Sequence, residues 1–246
     1  MSFFQAVSAA RRVPTTTSGI VTTNLYHHFD VSNSSSYSGT GTTWYDLAGN
    51  NDLTLTNGPV YNSSTPAHFD FDAVNDYATA GTWNQPSSTN FTVEAWIHMD
   101  AQTNTNRMVV TSQDSTNRAF ILFNNRTGAT AGTPKAMVFA CWDSNNALLG
   151  ANYGSVTLNT TDWYHIVAVR DGTTSYIYVN GSLDNSISLT NSTWHTGTQF
   201  DIGRRNISTV PDYFDGDISE VRFYSKGLSS TEVTQNYNAT KAKHGH

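Results

Sequence analysis

Cysteine is nearly absent from this sequence, which carries one, Cys141, in 246 residues. An internal disulfide is therefore excluded, and the fold has to rest on a hydrophobic core. A chain of this length can bury about 70–75% of the surface that its unfolded form exposes, which suffices without a cross-link. Because Cys141 lies in the apolar run Met137–Trp142, we expect a buried and unreactive side chain.

Charged residues are also scarce, at 13% of the chain compared with about 25% in typical soluble domains. The polar surface therefore has to be built from serine, threonine, asparagine and glycine. The formal net charge of −6 argues against nucleic-acid binding, which needs a basic footprint. The sequence has no apolar run of transmembrane length, and no basic segment precedes the apolar residues near its start, so we expect no membrane insertion and no classical signal peptide.

The pattern along the chain predicts an arm, one domain and a tail. Residues 1–19 are predicted to be an N-terminal arm, with a short helix over Phe3–Arg12 that Pro14 ends. So short an apolar helix is not stable alone in water, so it packs on the domain or docks into a partner. Residues 20–240 are predicted to form a single domain, and residues 241–246 a flexible tail.

Short segments of alternating apolar and polar residues make up most of the domain. In Phe91–Met99 the odd-numbered residues are apolar, which predicts a strand with one face toward a core. The pairs Asp171–Gly172 and Asn180–Gly181 are typical of tight hairpin turns and connect three antiparallel strands. This spacing predicts an all-β sandwich or barrel. The single confident helix signal is the capping box Ser229–Glu232.

Three segments have a distinctive order of aromatic, glycine and aspartate residues: Phe69–Tyr77, Trp163–Gly181 and Phe214–Tyr224. They resemble the "F-D-G-x-N-D-Y" element, the central hairpin and the closing strand of the laminin-G-like, concanavalin A-like lectin and glucanase jelly rolls. The resemblance covers about residues 20–238 and implies a two-sheet antiparallel jelly-roll sandwich with a short C-terminal helix. The opening segment Asn24–Gly58 is similar to versions in virion proteins of marine phages and large algal viruses.

Paired carboxylates for glycoside hydrolysis are not apparent. Hydrolases on this scaffold use a Glu-x-Asp-x-Glu strand, and retaining chemistry needs two carboxyl groups about 5–5.5 Å apart. The sequence has no such strand. The alternating pairs Asp70/Asp72 and Asp215/Asp217 lie at strand ends, where aspartate usually accepts hydrogen bonds from backbone amides. We therefore expect a protein that is not an enzyme, with no catalytic residues.

A calcium site is the only metal site that the sequence suggests. Asp70, Asp72 and Asp76 could supply oxygen ligands, although an exposed polar strand face explains the same pattern. The resemblance implies a structural calcium near this element and an aspartate of the closing strand. Two positions depart from that pattern, because Ser219 stands where the family has the aspartate and Ala73 where it has a glycine. The expectation is no cofactor.

Aromatic side chains in loops are the candidates for sugar binding, because a sugar ring stacks on an aromatic face while short polar side chains fix its orientation. Trp83 and Trp194 are flanked by polar residues and are predicted to be exposed, although core packing is the alternative for each aromatic residue. Arg204 and Arg205 would repel calcium but could bind an anionic sugar group. The full candidate set is Trp83, Trp142, Tyr153, Trp194, Asp114, Asn117, Arg204 and Arg205.

These observations together predict a non-catalytic, lectin-like protein of a virion surface, which acts in adhesion or capsid decoration and binds glycans through rim loops. Its partners would be glycans or other capsid proteins, and the arm could mediate homo-oligomerisation. We expect a virion-surface or extracellular location. One alternative is a purely structural cement protein without a sugar site. The other is a polysaccharide-cleaving hydrolase of the same fold.

Overall fold

The computed structural model describes residues 19–49, 51–83, 89–101, 103–114, 116–129, 131–191, 195, 199–206 and 212–246. They form two eight-stranded antiparallel sheets, here called sheet A and sheet B, and one short α-helix. The predicted two-sheet sandwich is confirmed. Apart from Gly19, the predicted arm lies outside the described residues. In this described part of the chain, no helix has the length and apolar character needed to cross a membrane.

Sheet A contains the strands that the two hairpin turns connect. Gly172 and Gly181 both have positive φ angles, of 57° and 76°, which these tight turns require and which glycine adopts without strain. In spatial order the sheet consists of β14 (Ser182–Ser188), β13 (Thr174–Val179), β12 (Trp163–Asp171), β7 (Phe91–Met99), β16 (Asp215–Tyr224), β5 (His68–Asp72) and β4 (Val60–Asn62), and β1 (Leu25–Asp30) also pairs with β16.

Sheet B packs against sheet A and is built from the remaining strands. In spatial order it consists of β11 (Leu148–Tyr153), β10 (Met137–Trp142), β9 (Arg118–Asn124), β8 (Arg107–Gln113), β15 (Gln199–Ile202), β6 (Tyr77–Thr82), β3 (Leu53–Thr56) and β2 (Thr43–Trp44). All of its pairings are antiparallel.

The core between the sheets is apolar and rich in aromatic rings. The odd-numbered residues of β7 all lie in it, as the alternation predicts. Phe91 stacks on Phe223 with 5.6 Å between ring centroids. Cys141 is fully buried, and burial raises the pKa of its thiol to about 12, so it stays protonated at neutral pH. Cys141 therefore contributes to the core by packing and not by a covalent cross-link.

Helix α1 (Ser230–Thr240) covers the outward face of sheet A. It begins as predicted, with Glu232 N donating to Ser229 Oγ at 3.3 Å and Ser229 N donating to Glu232 Oε2 at 2.9 Å. Val233 of the helix packs in a second apolar cluster on this face. The other buried members of that cluster are Val21, Val167, Val169, Tyr178, Tyr224 and Leu228.

A buried ion pair lies beneath the helix. Glu94 of β7 and Arg222 of β16 form it with side chains that are each 1% exposed. His165 Nε2 lies 2.9 Å from Glu94 Oε1, and Asn236 of α1 donates to Glu94 Oε2 at 2.6 Å. Burial alone would raise the pKa of Glu94, but Arg222 and His165 bring it down to about 2. Glu94 of β7 thus connects its own strand to β16, β12 and α1 through one charged group.

The expectation of a flexible tail from residue 241 is corrected for Lys241–His244, which form a 3₁₀ turn. His244 is buried and stacks on Trp96, with 3.8 Å between ring centroids and an angle of 2° between the planes. The Ser219 hydroxyl lies 2.6 Å from His244 Nε2. Lys243 lies 2.9 Å from buried Glu220. The tail is fixed in place because His244 and Lys243 contact buried polar groups of sheet A that would otherwise need water as a partner.

Replacement of Arg222 by alanine should reduce the free energy of unfolding by about 3–5 kcal/mol, because it leaves Glu94 as a buried charge without its main partner. Lys226→Ala is the matched control, since it breaks an ion pair with Glu232 that is partly exposed and should be worth about 0–1 kcal/mol. Urea unfolding at pH 7 measures both values. Equal losses in the two variants would contradict the central role of the Glu94 pair.

Acid should destabilise the protein through its buried histidines. Burial lowers the pKa of His28 to about 4 and that of His244 to about 3, compared with 6.5 in the unfolded chain. Below pH 6.5 the unfolded chain therefore binds more protons at these two histidines than the folded chain does. As a result, the free energy of unfolding decreases as the pH falls toward 4. The low pKa of Glu94 adds a further loss below pH 4.5.

The variant His244→Phe isolates one of these contributions, because it keeps a ring against Trp96 and cannot take up a proton. We expect its melting temperature to fall less between pH 7 and pH 4 than that of the wild type. Thermal unfolding followed by circular dichroism measures the two slopes, and parallel curves would show that His244 does not contribute.

Candidate functional site

The prediction that Trp83 is an exposed sugar platform is wrong. Its side chain is 3% exposed and lies in the core, 4.9 Å from Phe200 and 5.1 Å from Phe223 between ring centroids. Its indole Nε1 donates to Ser112 Oγ at 3.3 Å, so its one polar atom is also satisfied inside. The other tryptophan predicted to be exposed, Trp194, lies outside the described residues.

The candidates Trp142 and Tyr153 lie on the outward face of sheet B. Met137, Phe139 and Cys141 of β10 belong to the core, so Val138 and Trp142 point outward. Tyr153 pairs with Val138 and shares that face. Both aromatic rings are half-buried, and four residues of strand separate their positions by about 13 Å, too far to stack on one sugar ring.

Trp142 is already covered in part by a cation, because the Arg118 guanidinium lies 5.7 Å from the centre of its ring. Arg118 is exposed and belongs to the neighbouring strand β9. The contact is a cation–π interaction of the kind that surface arginines form with tryptophan. A ligand that stacks on Trp142 would have to displace or extend this contact.

Tyr153 lies in a cavity of about 290 Å³, which makes it the best placed of the predicted aromatic residues that the structure describes. The loop after β9 closes against it at Gly132, where a Cβ atom would overlap the tyrosine ring and where φ is 70°. Glycine is therefore required for the cavity to have this shape. The cavity is lined by Asn106, Phe123, Asn125, Arg126, Ala129, Ala131 and Tyr153.

Hydrogen bonds fix the polar wall of the Tyr153 cavity. Asn106 Oδ1 accepts from the backbone N–H of Arg126 at 3.1 Å, and Asn125 Nδ2 donates to the carbonyl of Ala131 at 2.9 Å. Arg126 is exposed, and its guanidinium forms no ion pair with any described carboxylate. The cavity thus combines an aromatic ring, two amides held in place and one cation without an acidic partner.

The predicted polar residues Asp114 and Asn117 stabilise their own loop. Asp114 Oδ1 accepts from the backbone N–H groups of Thr116 and Asn117, each at 2.7 Å, which is the local pattern that favours aspartate in turns. Asp114 also lines a recess of about 410 Å³ with Gly81, Thr82 and Gln199. The structure does not bring either residue to the Tyr153 cavity.

Arg204 and Arg205 are both engaged by aspartates. Arg204 Nε donates to Asp201 at 3.0 Å, and its guanidinium carbon lies 3.5 Å above the centre of the Tyr77 ring. Burial raises the pKa of Asp201, and Arg204 opposes that shift. Arg205 lies 2.7 Å from Asp212. A role in binding an anionic sugar stays a prediction for both, but their charges are already paired.

The calcium candidates serve a turn. Asp72 Oδ1 accepts from the backbone N–H groups of Val74 at 2.8 Å and Asn75 at 3.2 Å, and these bonds outweigh burial and lower its pKa. Asp76 is buried and accepts from the backbone N–H of Asp72, while Asp70 lies apart from this turn on β5. These contacts favour the structural role over a calcium site.

The two positions that depart from the family pattern have clear structural roles. Ala73 has a φ of 63°, the left-handed conformation for which the family's glycine is suited. Ser219 is fully buried and bonded to His244, not turned toward a loop. The residues present therefore do not fit the calcium site that the resemblance implied.

The residues Asn106, Phe123, Asn125 and Arg126 were not among the sequence candidates. Arg126 directly follows the Asn124–Asn125 pair at the end of β9, which is a weak signal of a rim loop. Nothing in the sequence indicates that this loop meets Tyr153, which belongs to β11 and lies about 27 positions further along. Only the pairing of strands brings them together.

The two antiparallel sheets and the short C-terminal helix have the architecture expected of a concanavalin A-like jelly roll. Residues 71–234 match the laminin-G-like family described as the concanavalin A-like lectin/glucanases superfamily, and the chain belongs to it. No curated protein matches the sequence.

Solved structures with the same fold include a Trypanosoma rangeli sialidase in complex with sialic acid, with a TM-score of 0.65 and 13% identity over 91% of this chain and 34% of the sialidase. They also include the receptor-binding domain of botulinum neurotoxin type G, with a TM-score of 0.63 and 16% identity over 88% of this chain and 51% of the toxin fragment. The chain thus spans about a third to a half of these structures, and the identities show a shared fold alone.

Trp83→Ala should lower the free energy of unfolding by about 3–5 kcal/mol, because it opens a cavity among packed aromatic rings. Trp142→Ala is the matched control and should cost less than about 1.5 kcal/mol, since this ring is half-buried on the outward face of sheet B. Chemical denaturation of both variants provides the comparison. A small loss of unfolding free energy in Trp83→Ala would indicate that the Trp83 ring is exposed and not part of the core.

Proposed function

We propose that this chain is a non-catalytic carbohydrate-binding module and that the Tyr153 cavity is its sugar site. The observation that carries the proposal is the meeting of Tyr153, Asn125 and Arg126 around a cavity of about 290 Å³. A tyrosine ring can stack on the apolar face of a pyranose, and amides can bond its hydroxyl groups. The exposed Arg126 favours a sugar that carries a carboxylate or sulfate.

Two further observations support a glycan as the partner. The sialidase with this fold was solved with sialic acid, and cell entry of botulinum neurotoxin type C, which also has this fold, depends on interaction with two ganglioside molecules. Two of the carboxylates that could support hydrolysis in this chain have structural partners: Glu94 is buried with Arg222, and Asp215 is paired with Arg107 at 2.9 Å. Binding without cleavage is the simpler function for this arrangement.

We further propose that the module is located on the surface of a virus particle. This location is supported by the likeness of residues 24–58 to virion proteins and by a surface with few charged residues. In that setting the module would attach the particle to host glycans. The alternative of a purely structural cement protein predicts no sugar binding at all.

The Tyr153→Ala variant should lose glycan binding by at least about tenfold, which corresponds to an aromatic contact of about 1.4 kcal/mol. Tyr45→Ala is the matched control, because Tyr45 is 49% exposed and lies outside the cavity. A glycan array with neutral, sialylated and sulfated sugars would be read with the wild type and both variants. Arg126→Gln should weaken binding to the acidic sugars more than to the neutral ones.

Three outcomes would overturn the proposal. If the wild type binds no glycan on the array, the structural alternative gains support. If binding persists in Tyr153→Ala and is lost in Tyr45→Ala, the sugar site lies elsewhere. Release of reducing sugar from a bound polysaccharide would show instead that the domain is catalytic.

A further inference from the structure

A row of polar side chains crosses the outward face of sheet A beyond the end of helix α1. The strand register places Trp163, His98, Asp217 and Asp70 next to one another on β12, β7, β16 and β5. His68 lies two positions before Asp70 and therefore on the same face of β5. The row thus collects imidazole and carboxylate groups, none of which the proposed sugar site uses.

The donor atoms of this row are spaced as metal ligands are. His98 Nδ1 lies 3.2 Å from Asp100 Oδ1 and 3.3 Å from Asp217 Oδ2. Zinc–nitrogen and zinc–oxygen bonds of about 2.0–2.1 Å at tetrahedral angles put neighbouring ligand atoms about 3.3 Å apart. One donor atom from each of these residues lies within 4.8 Å of the others. A single small cation could contact all three.

His68 provides an independent indication of a cation. Its Nδ1 lies 2.7 Å from the carbonyl oxygen of Pro66, which can only accept, so Nδ1 carries the hydrogen. Nε2 is then the ring nitrogen available to bind a cation, and it lies 3.4 Å from Asp217 Oδ1. A histidine oriented by a carbonyl through its other nitrogen is also the usual arrangement of a metal ligand.

The charges around this row are not balanced by lysine or arginine. Among the described residues, Asp70, Asp100 and Asp217 form no ion pair with either. By contrast, the cluster of His28, Asp30 and Glu220 under the helix is already occupied by Lys243.

The backbone holds the row in place and leaves it open on one side. At Gly216, with a φ of 132°, β16 passes so close to the His98 carbonyl that a side chain would collide with it. Asp217, the next residue, is thereby set opposite His98. Asp100 is half exposed and lines a recess of about 570 Å³ with Lys135, Thr157 and Asn159 among others. A ligand could therefore reach an ion bound there.

We propose that His98, Asp100 and Asp217, supported by His68, form a binding site for a divalent transition metal of the zinc class. Imidazole nitrogen combined with carboxylate oxygen selects zinc, cobalt or nickel over calcium, which prefers oxygen alone. The site lies two residues from Ser219 on the closing strand and does not involve the turn of Asp72. The ion would fasten β7 to β16 and keep one coordination position toward the recess.

The test uses the full chain after dialysis against a chelator. Isothermal titration calorimetry with zinc chloride should show one ion bound per chain, and cobalt should give the visible absorption of a tetrahedral complex. Asp217→Asn and His98→Ala should each weaken zinc binding by more than about tenfold, the lower bound typical even for outer-shell partners. His68→Gln should weaken it about 10–100-fold.

Two matched variants control for other ligands. Asp72→Asn removes a carboxylate charge from neighbouring β5 and should leave zinc affinity unchanged. His246→Ala removes a histidine whose Nε2 lies 2.8 Å from the Trp163 carbonyl, and it should also bind normally. Circular dichroism confirms that each variant is folded. Nuclear magnetic resonance of the wild type provides a second measurement. Zinc should shift the ring nitrogen resonances of His68 and His98 and leave those of His165 unchanged.

The proposal is overturned if the wild type binds neither zinc nor cobalt, in which case a proton alone neutralises the row. It is equally overturned if Asp217→Asn and His98→Ala bind zinc as the wild type does, or if calcium competes with zinc at equal concentration. Loss of zinc binding in His246→Ala alone would place the ion on the C-terminal residues instead.

Discussion

The buried charge of Glu94 is the constraint on which the arrangement around sheet A depends. A carboxylate with 1% of its side chain exposed is tolerable only if it is fully compensated, and Arg222, His165 and Asn236 do so from two strands and the helix. Each of those contacts fixes an element relative to β7. If the helix left its place, Glu94 would lose its hydrogen bond from Asn236, and the buried ion pair with Arg222 would be exposed to water.

The two faces of the sandwich consequently differ in what they can bind. The helix, the 3₁₀ turn and the stacked His244 cover part of the outward face of sheet A, and the row around His98 lies beyond the end of the helix. The outward face of sheet B has no such helix among the described residues, and its loops form the Tyr153 cavity. Recognition of a large ligand is thus better suited to sheet B.

Local chemistry explains why much of the fold could be predicted from the sequence. The alternation in Phe91–Met99 and the glycines at 172 and 181 act within a few residues, so they can be recognised without knowing the fold. The environment of Trp83 could not, because the rings that pack against it, Phe200 and Phe223, belong to strands far away in the sequence. The cavity around Tyr153 also depends on strand pairing between distant segments. Glu94 and Arg222 are 128 positions apart, so no local pattern indicates that they meet.

Hydrogen bonds between the first and last described segments determine from which side the domain can be attached to a larger structure. Gln235 donates to the carbonyl of Gly19, and the backbone N–H of Val21 donates to Asn236 Oδ1 at 2.7 Å. The start of the sandwich and its helix thus meet on the side of sheet A. A larger structure that binds the domain through these segments would leave the opposite sheet and its cavity facing the surroundings.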